Sequence, residues 1–221
     1  PPPFSSRRRH TLCCSWSRGL GDVYKRQRKP YPMSWEEQSR LFQELPAHLQ
    51  RMALFKVNTG CREAEVCGLR WEWEVMVPEL NTSVFLIPEE RVKNREERLV
   101  VLNRIARSVI VEQRGQHLEF VFTYKGHSVQ KMNGNAWRKA RKRAGLSEVR
   151  IHDLKHTFGR RLRAAGVSFE DRQDLLGHKS GRITTHYSAA ELHNLLEAAD
   201  KVSGENSRKS PAMTILNRKT G

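Results

Sequence analysis

From Arg28 onward, apolar positions recur mostly at helical spacing. Ser34 followed three residues later by Glu37 has the spacing of a capping box, and Leu41 and Leu45 continue a first helix that Pro46 interrupts. A second helix over about 48–57 places Leu49, Ala53, Leu54 and Val57 on one side, and Thr59-Gly60 breaks it. Ala64, Val66, Cys67 and Leu69 predict a third helix ending near Arg70. The runs 84–87 and 99–102 are short and β-prone around a polar centre, 89–98, and together predict a hairpin or small antiparallel sheet. Further helices are expected over 105–111, 137–144, 153–165 and 169–176, the last three stopped at Gly145, Gly166 and Gly177. Leu192, Leu195, Leu196 and Ala199 form an i, i+3, i+4, i+7 stripe on a final helix. The pattern predicts a mainly α fold with a small antiparallel β-sheet, without internal repeat or linker.

Both ends lack such a pattern. Residues 1–27 are rich in Ser, Arg, Cys and Gly, show no periodicity, and resemble translated sequencing-adapter read-through. The expectation is a disordered, artefactual lead (1–27), one folded domain (28–202) and a disordered polar tail (203–221). This division changes the charge account. The whole chain of 221 residues carries a net +16. Residues 1–27 hold +5 of it and residues 203–221 hold +3, which leaves +8 on the domain itself. A basic domain favours a polyanionic partner, nucleic acid first. No apolar run approaches the roughly 18 residues of a spanning helix, so no membrane association is expected. The cysteines, Cys13, Cys14, Cys61 and Cys67, have neither zinc spacing nor a disulfide framework, which fits a reducing cytoplasm.

Breaking a phosphodiester requires an in-line nucleophile, cations on the non-bridging oxygens and an acid for the leaving oxygen. Four segments could supply them: Thr59-Gly-Cys-Arg62-Glu-Ala-Glu65; Arg91-Val-Lys93-Asn-Arg95; His152-Asp-Leu-Lys155-His156-Thr157; and Leu175-Leu-Gly-His178, with Tyr187 nine positions later. Each has an ordinary reading on its own. Arg62 and Glu65 could be a surface i, i+3 pair, Lys93 a solvated turn lysine, Tyr187 a half-buried tyrosine. His152 and His156 have the i, i+4 spacing of a zinc helix, but no further ligand is evident.

The ordered set resembles the tyrosine recombinase family, the phage-integrase-like enzymes. That family shows T-G-x-R-x-x-E/D, a hairpin lysine, H-x-x-R-H-T, L-x-G-H/W and a tyrosine about nine residues further on. The resemblance covers about residues 30–200, with one departure: Lys155 stands where the family has its second arginine. It implies the integrase catalytic-domain fold and a site-specific recombinase that cleaves and rejoins double-stranded DNA through a 3′-phosphotyrosyl intermediate. Tyr187 would be the nucleophile. Arg62 and Lys155 would bind the phosphate, and Lys93 would protonate the leaving oxygen. His152 would assist proton removal from Tyr187 or orient the phosphate, His178 would donate to the phosphate, and Glu65 would brace Arg62. No metal or other cofactor is implied. The Arg138, Lys139, Arg141 and Lys142 face is expected to touch DNA phosphates. The family also implies a homo-oligomer on DNA through the C-terminal helix, a nucleoid location, and an N-terminal DNA-clamping domain that this chain is expected to have lost. Two other readings stay open: a catalytically weakened DNA-binding relative, and a type IB topoisomerase-like enzyme.

Overall fold

The structure, a computed structural model, describes residues 28–178 and 188–203. The expectations for the lead, for Tyr187 and for residues 204–221 fall outside the described residues. In chain order the elements are α1 (Trp35–Glu44), α2 (Ala47–Thr59), α3 (Glu63–Cys67), β1 (Glu74–Val77), β2 (Thr82–Ile87), β3 (Arg98–Val101), α4 (Arg104–Gln113), β4 (Thr123–Tyr124), β5 (His127–Ser128), α5 (Asn135–Arg143), α6 (Ile151–Ala164), α7 (Phe169–Leu176) and α8 (Ala189–Asp200). The architecture is mainly helical with small antiparallel sheets, as expected.

The expected capping box forms. The Ser34 hydroxyl accepts from the Glu37 amide at 3.2 Å, and Glu37 accepts from the Ser34 amide at 2.9 Å. Two expected bounds need adjusting. The third helix closes at Cys67 rather than near Arg70. Ser203, expected in the disordered tail, is buried and its hydroxyl donates to the Asp200 carbonyl at 2.8 Å. The expected small antiparallel sheet forms over the two β-prone runs, with a further strand added, in the order β1-β2-β3, all antiparallel. The added strand, β1, is an edge with Met76 63% exposed, so it lacks the alternating burial that makes a strand legible. Its pairing with β2 holds it in place, Val75 opposite Val84 and Val77 opposite Thr82. A second hairpin, β4-β5, leaves no periodic signal because each strand has two residues. Its tip takes positive φ at Lys125 and Gly126, as a tight hairpin turn demands.

Two apolar clusters fill the interior. The larger joins α1–α5, the sheet and the start of α6, with Phe55, Phe85, Phe122 and Trp137 almost wholly buried. The smaller is built from Val101, Phe158, Leu162, Leu175, Leu195 and Ala199. α6 runs through both: Ile151 and Leu154 belong to the first, Phe158 and Leu162 to the second. β3 is divided the same way, Val100 to the first and Val101 to the second. α8 therefore spends Leu195 and Ala199 on its own domain, with the half-buried Leu196 packed against the same cluster, while Leu192 is half-buried outside it.

Phe55 lies fully buried on α2, its ring 5.3 Å from that of Phe122. Truncating such a side chain removes its transfer energy and leaves a cavity, so Phe55→Ala should cost about 3–5 kcal/mol of unfolding free energy. Urea denaturation checks this, and a loss under about 1 kcal/mol would show that the larger cluster is not organised around α2.

Candidate active site

The site begins where α2 stops. Gly60 takes φ 64°, and a side chain there would meet the Phe158 ring at 2.8 Å and Leu176 at 3.0 Å. This close, left-handed exit turns the chain into Cys61 and Arg62. The buried Lys56 ammonium donates to the Cys61 carbonyl and ties the turn back to α2. Arg62 caps α3, and Glu65 holds it twice. One carboxylate oxygen accepts from the Arg62 amide at 2.7 Å, the other from its guanidinium at 2.8 Å. Glu65 is only 3% exposed.

A second guanidinium reaches the same carboxylate from the sheet. Arg98, at the start of β3, is 3% exposed, and its Nε lies 3.3 Å from Glu65 Oε2. That contact is ionic rather than a directed hydrogen bond, since Nε has no well-aligned acceptor. The rest of the Arg98 fork is engaged by backbone: Nη1 donates to the Leu176 carbonyl at 2.6 Å and Nη2 to Leu175 at 3.3 Å. The Leu176 carbonyl also takes the Lys155 ammonium. Gly177 then ends α7 with φ 57°, and a Cβ there would sit 1.9 Å from Arg98 Nη1. Its carbonyl accepts from Arg62 and from Asn94, each at 3.4 Å, and Asn94 accepts from Arg62 at 3.2 Å. Asn94 lies in the β2–β3 connection, next to the exposed Lys93.

α6 separates its polar side chains by face. Asp153 and Thr157 turn inward. Asp153 accepts from the Arg150 amide at 2.8 Å and the Tyr31 amide at 3.1 Å, and Thr157 accepts from the Met33 amide at 3.0 Å. These bonds lay residues 31–33 against the helix. His152, Lys155 and His156 line a cleft of about 630 Å³ with His178, Lys29 and Arg160. The rings of His152 and His156 meet edge to face at 4.7 Å. Among the described residues, no three His, Cys, Asp or Glu side chains converge as metal ligands would.

Burial and like charge set the protonation of this cleft. Lys155 is pushed down to about 7, first by burial and then by the Arg98 and Arg62 charges, against which Glu65 pulls. Burial lowers His152 and His178 as well, and neighbouring cations add to it, His156 and Lys56 for the first, Lys155 and Arg62 for the second. Burial alone would raise Glu65, but the Arg98 charge and the Arg62 hydrogen bonds outweigh it and hold the carboxyl below its usual range.

The sequence-predicted residues therefore converge in part. Arg62, Glu65, Lys155 and the Gly177-His178 corner share one hydrogen-bonded network, His152 lines the adjoining cleft, and Lys93 stands beside it. Tyr187 lies outside the described residues. The basic helix α5 packs against α1. There Arg141 donates to the Val149 carbonyl at 2.8 Å and Arg138 to Asn135 at 2.8 Å, while Lys139 and Lys142 are exposed. Sequence reasoning missed Arg98, Asn94 and Lys56. Arg98 carried one usable signal: a charge directly abutting the apolar run Leu99-Val-Val.

Comparison with known proteins places this arrangement. The fold matches the integrase from mycobacterium phage Brujita with a TM-score of 0.56 at 19% identity, over 80% of this chain and 59% of that one. It matches a lambda integrase dimer bound to a COC′ core site with a TM-score of 0.55 at 19% identity, over 72% of this chain and 60% of that one. These establish an integrase catalytic-domain fold. In sequence, the Phage integrase family pattern covers residues 34–193, and the integrase of Salmonella phage P22 is 30% identical over 198 residues, 84% of this chain. The chain belongs to the phage integrase family. An Escherichia coli shufflon-specific DNA recombinase is 27% identical over 163 residues, 73% of this chain. The matched region is 50% of the P22 protein and 40% of the shufflon recombinase, so the chain spans about half the length of these relatives. Among the described residues no helix is long and apolar enough to cross a membrane.

The lowered Lys155 gives a sign-definite test. Its folded pKa of about 7 lies below the ordinary 10.5. Between those values the unfolded chain binds more protons, so this residue makes stability rise with pH. The penalty is fully present below about pH 7. The wild type should gain stability over Lys155→Met between pH 7 and 10, by at most about 1.4 kcal/mol per pH unit. Denaturation curves of the two proteins across that range check it, and parallel pH dependences would contradict the assignment.

Proposed function

We propose that this chain is the catalytic domain of a site-specific tyrosine recombinase that cleaves and rejoins double-stranded DNA. The observation carrying the reading is the knot of Arg62, Arg98 and Lys155 around the single carboxylate of Glu65, a site with positive charge to spare for a phosphate. The names of the relatives, integrase and recombinase, point the same way.

In this reading Tyr187 attacks the scissile phosphorus, a 3′-phosphotyrosyl bond forms and the 5′-oxygen leaves. Arg62 holds the non-bridging oxygens with the N–H groups of its fork that Glu65, Asn94 and the Gly177 carbonyl leave open. His152, kept neutral by its surroundings, is free to take the tyrosine proton. Lys155 sits near its midpoint at neutral pH, and an arriving phosphate draws the proton onto it. Lys93, exposed beside Asn94, gives the proton to the leaving oxygen, and His178 donates to the phosphate. A 5′-hydroxyl from another strand then attacks the phosphotyrosine and frees Tyr187. One phosphodiester is traded for another, so the cycle requires no energy source. Lys139 and Lys142 reach phosphates away from the scissile bond. Partner protomers assemble on the DNA through α8, whose half-buried Leu192 lies outside its own core cluster, and the enzyme works on the nucleoid in the cytoplasm.

Tyr187→Phe should abolish the covalent adduct with a nicked duplex and leave duplex binding intact, because only one oxygen is removed. Denaturing gels and a mobility-shift assay measure the two. Adduct formation by the variant would remove Tyr187 as nucleophile. Tight binding without any wild-type adduct would favour the DNA-binding relative over the enzyme.

A further inference from the structure

We propose that Arg98 is a positioning residue for strand cleavage: its buried guanidinium clamps the end of α7, and with it His178, to the carboxylate that aims Arg62, and it sets the charge around Lys155. The inference rests on the recombinase reading for its catalytic consequence, but its geometry stands apart from it.

Arg98 comes from β3, yet every partner of its fork belongs to a different chemical segment. Glu65 is the brace of Arg62, 3.3 Å from Nε. Leu175 and Leu176 are the last carbonyls of α7, three and two residues before His178. Thr59, whose carbonyl lies 3.5 Å from Nη2, opens the turn into Arg62. The free carbonyls at a helix C-terminus carry the negative end of its dipole, and a buried guanidinium satisfies them. The fit is tight on the far side too, since Gly177 leaves no room for a Cβ against Nη1. A solvated hairpin arginine would have none of these contacts.

The same position governs Lys155. The charged and titratable groups facing its ammonium are Arg62 and Glu65 from α3 and its cap, Arg98 from β3, the Cys61 thiol from the intervening turn, His178 beyond α7, and His152 and His156 on its own helix. After burial, the Arg98 charge is the largest influence disfavouring protonation. Lys155 and Arg98 also share the Leu176 carbonyl, so their head groups compete for one acceptor. An arginine in place of Lys155 could not respond, because its pKa lies too high to titrate. Burial first, and the Arg98 charge next, therefore make the second phosphate cation of this chain sensitive to pH.

Two variants of the full chain separate position from charge. Arg98→Lys keeps the charge and loses the fork, and Arg98→Met loses both. Each is read twice: by single-turnover cleavage of a nicked duplex, and by 13Cε NMR titration of Lys155, its resonance assigned with Lys155→Arg. Arg98→Lys should cleave at least about tenfold more slowly than wild type, with the Lys155 midpoint near its original place. Arg98→Met should be slower still, with the midpoint raised by about one pH unit or more. Wild-type cleavage by Arg98→Lys would overturn the positioning role. An unmoved midpoint in folded Arg98→Met would overturn the role in charge. Should Arg98→Met fail to fold, the Arg98→Lys rates decide the proposal alone. A wild type that forms no adduct would sink the recombinase reading instead, and the titration would still decide whether Arg98 sets the charge at Lys155.

Discussion

A carboxylate at 3% exposure, touched by two guanidiniums, is the constraint on which this domain's site depends. Stripping water from Glu65 and Arg98 is expensive, and their attraction offsets that cost only because nearly every remaining donor finds a carbonyl. Removing one partner of such a pair typically costs about 3–5 kcal/mol, because the other is left charged and dry. The consequence is geometric. Arg62 comes from the α2–α3 turn, Arg98 from the sheet, Lys155 from α6 and the Leu176 carbonyl from α7, and one carboxylate with one carbonyl fixes all of them.

Lys155 stands where the resemblance read from the sequence implies an arginine. Lysine cannot offer a planar fork to a phosphate, but it is compact and titrates when buried. The neighbouring Arg98 already fills the space beside the Leu176 carbonyl with a fork of its own. Two forks at that carbonyl would compete for the same lone pairs. A point-charge donor on Lys155 is compatible with Arg98 at that carbonyl.

Most of the helices are legible in the sequence because helical periodicity is a local property. Ser34 and Glu37 announce α1, and Gly177 announces the end of α7. The edge strand β1 is not legible, since its burial does not alternate and its partner lies across a turn. The site divides along the same line. Arg62, Glu65, Lys155 and His178 sit in motifs of fixed local spacing, and the resemblance of the ordered set of those motifs to the tyrosine recombinase family is what singles them out. Arg98 has no such motif, because its meaning comes from contacts 33, 77 and 78 residues away in the chain. Asp153 and Thr157 show the reverse case. Both lie inside a catalytic-looking motif, yet both turn inward to hold the backbone of Tyr31 and Met33.

The claim that one buried carboxylate assembles the cation site is tested most directly by single-turnover cleavage with Glu65→Gln. Glutamine keeps the shape and one acceptor for the Arg62 amide but removes the charge shared by Arg62 and Arg98. With helical content and DNA binding unchanged, cleavage should fall on the order of 10²-fold, the scale of a lost transition-state contact. Cleavage at the wild-type rate would mean that the two arginines are held without the carboxylate, and the account built on Glu65 would be wrong.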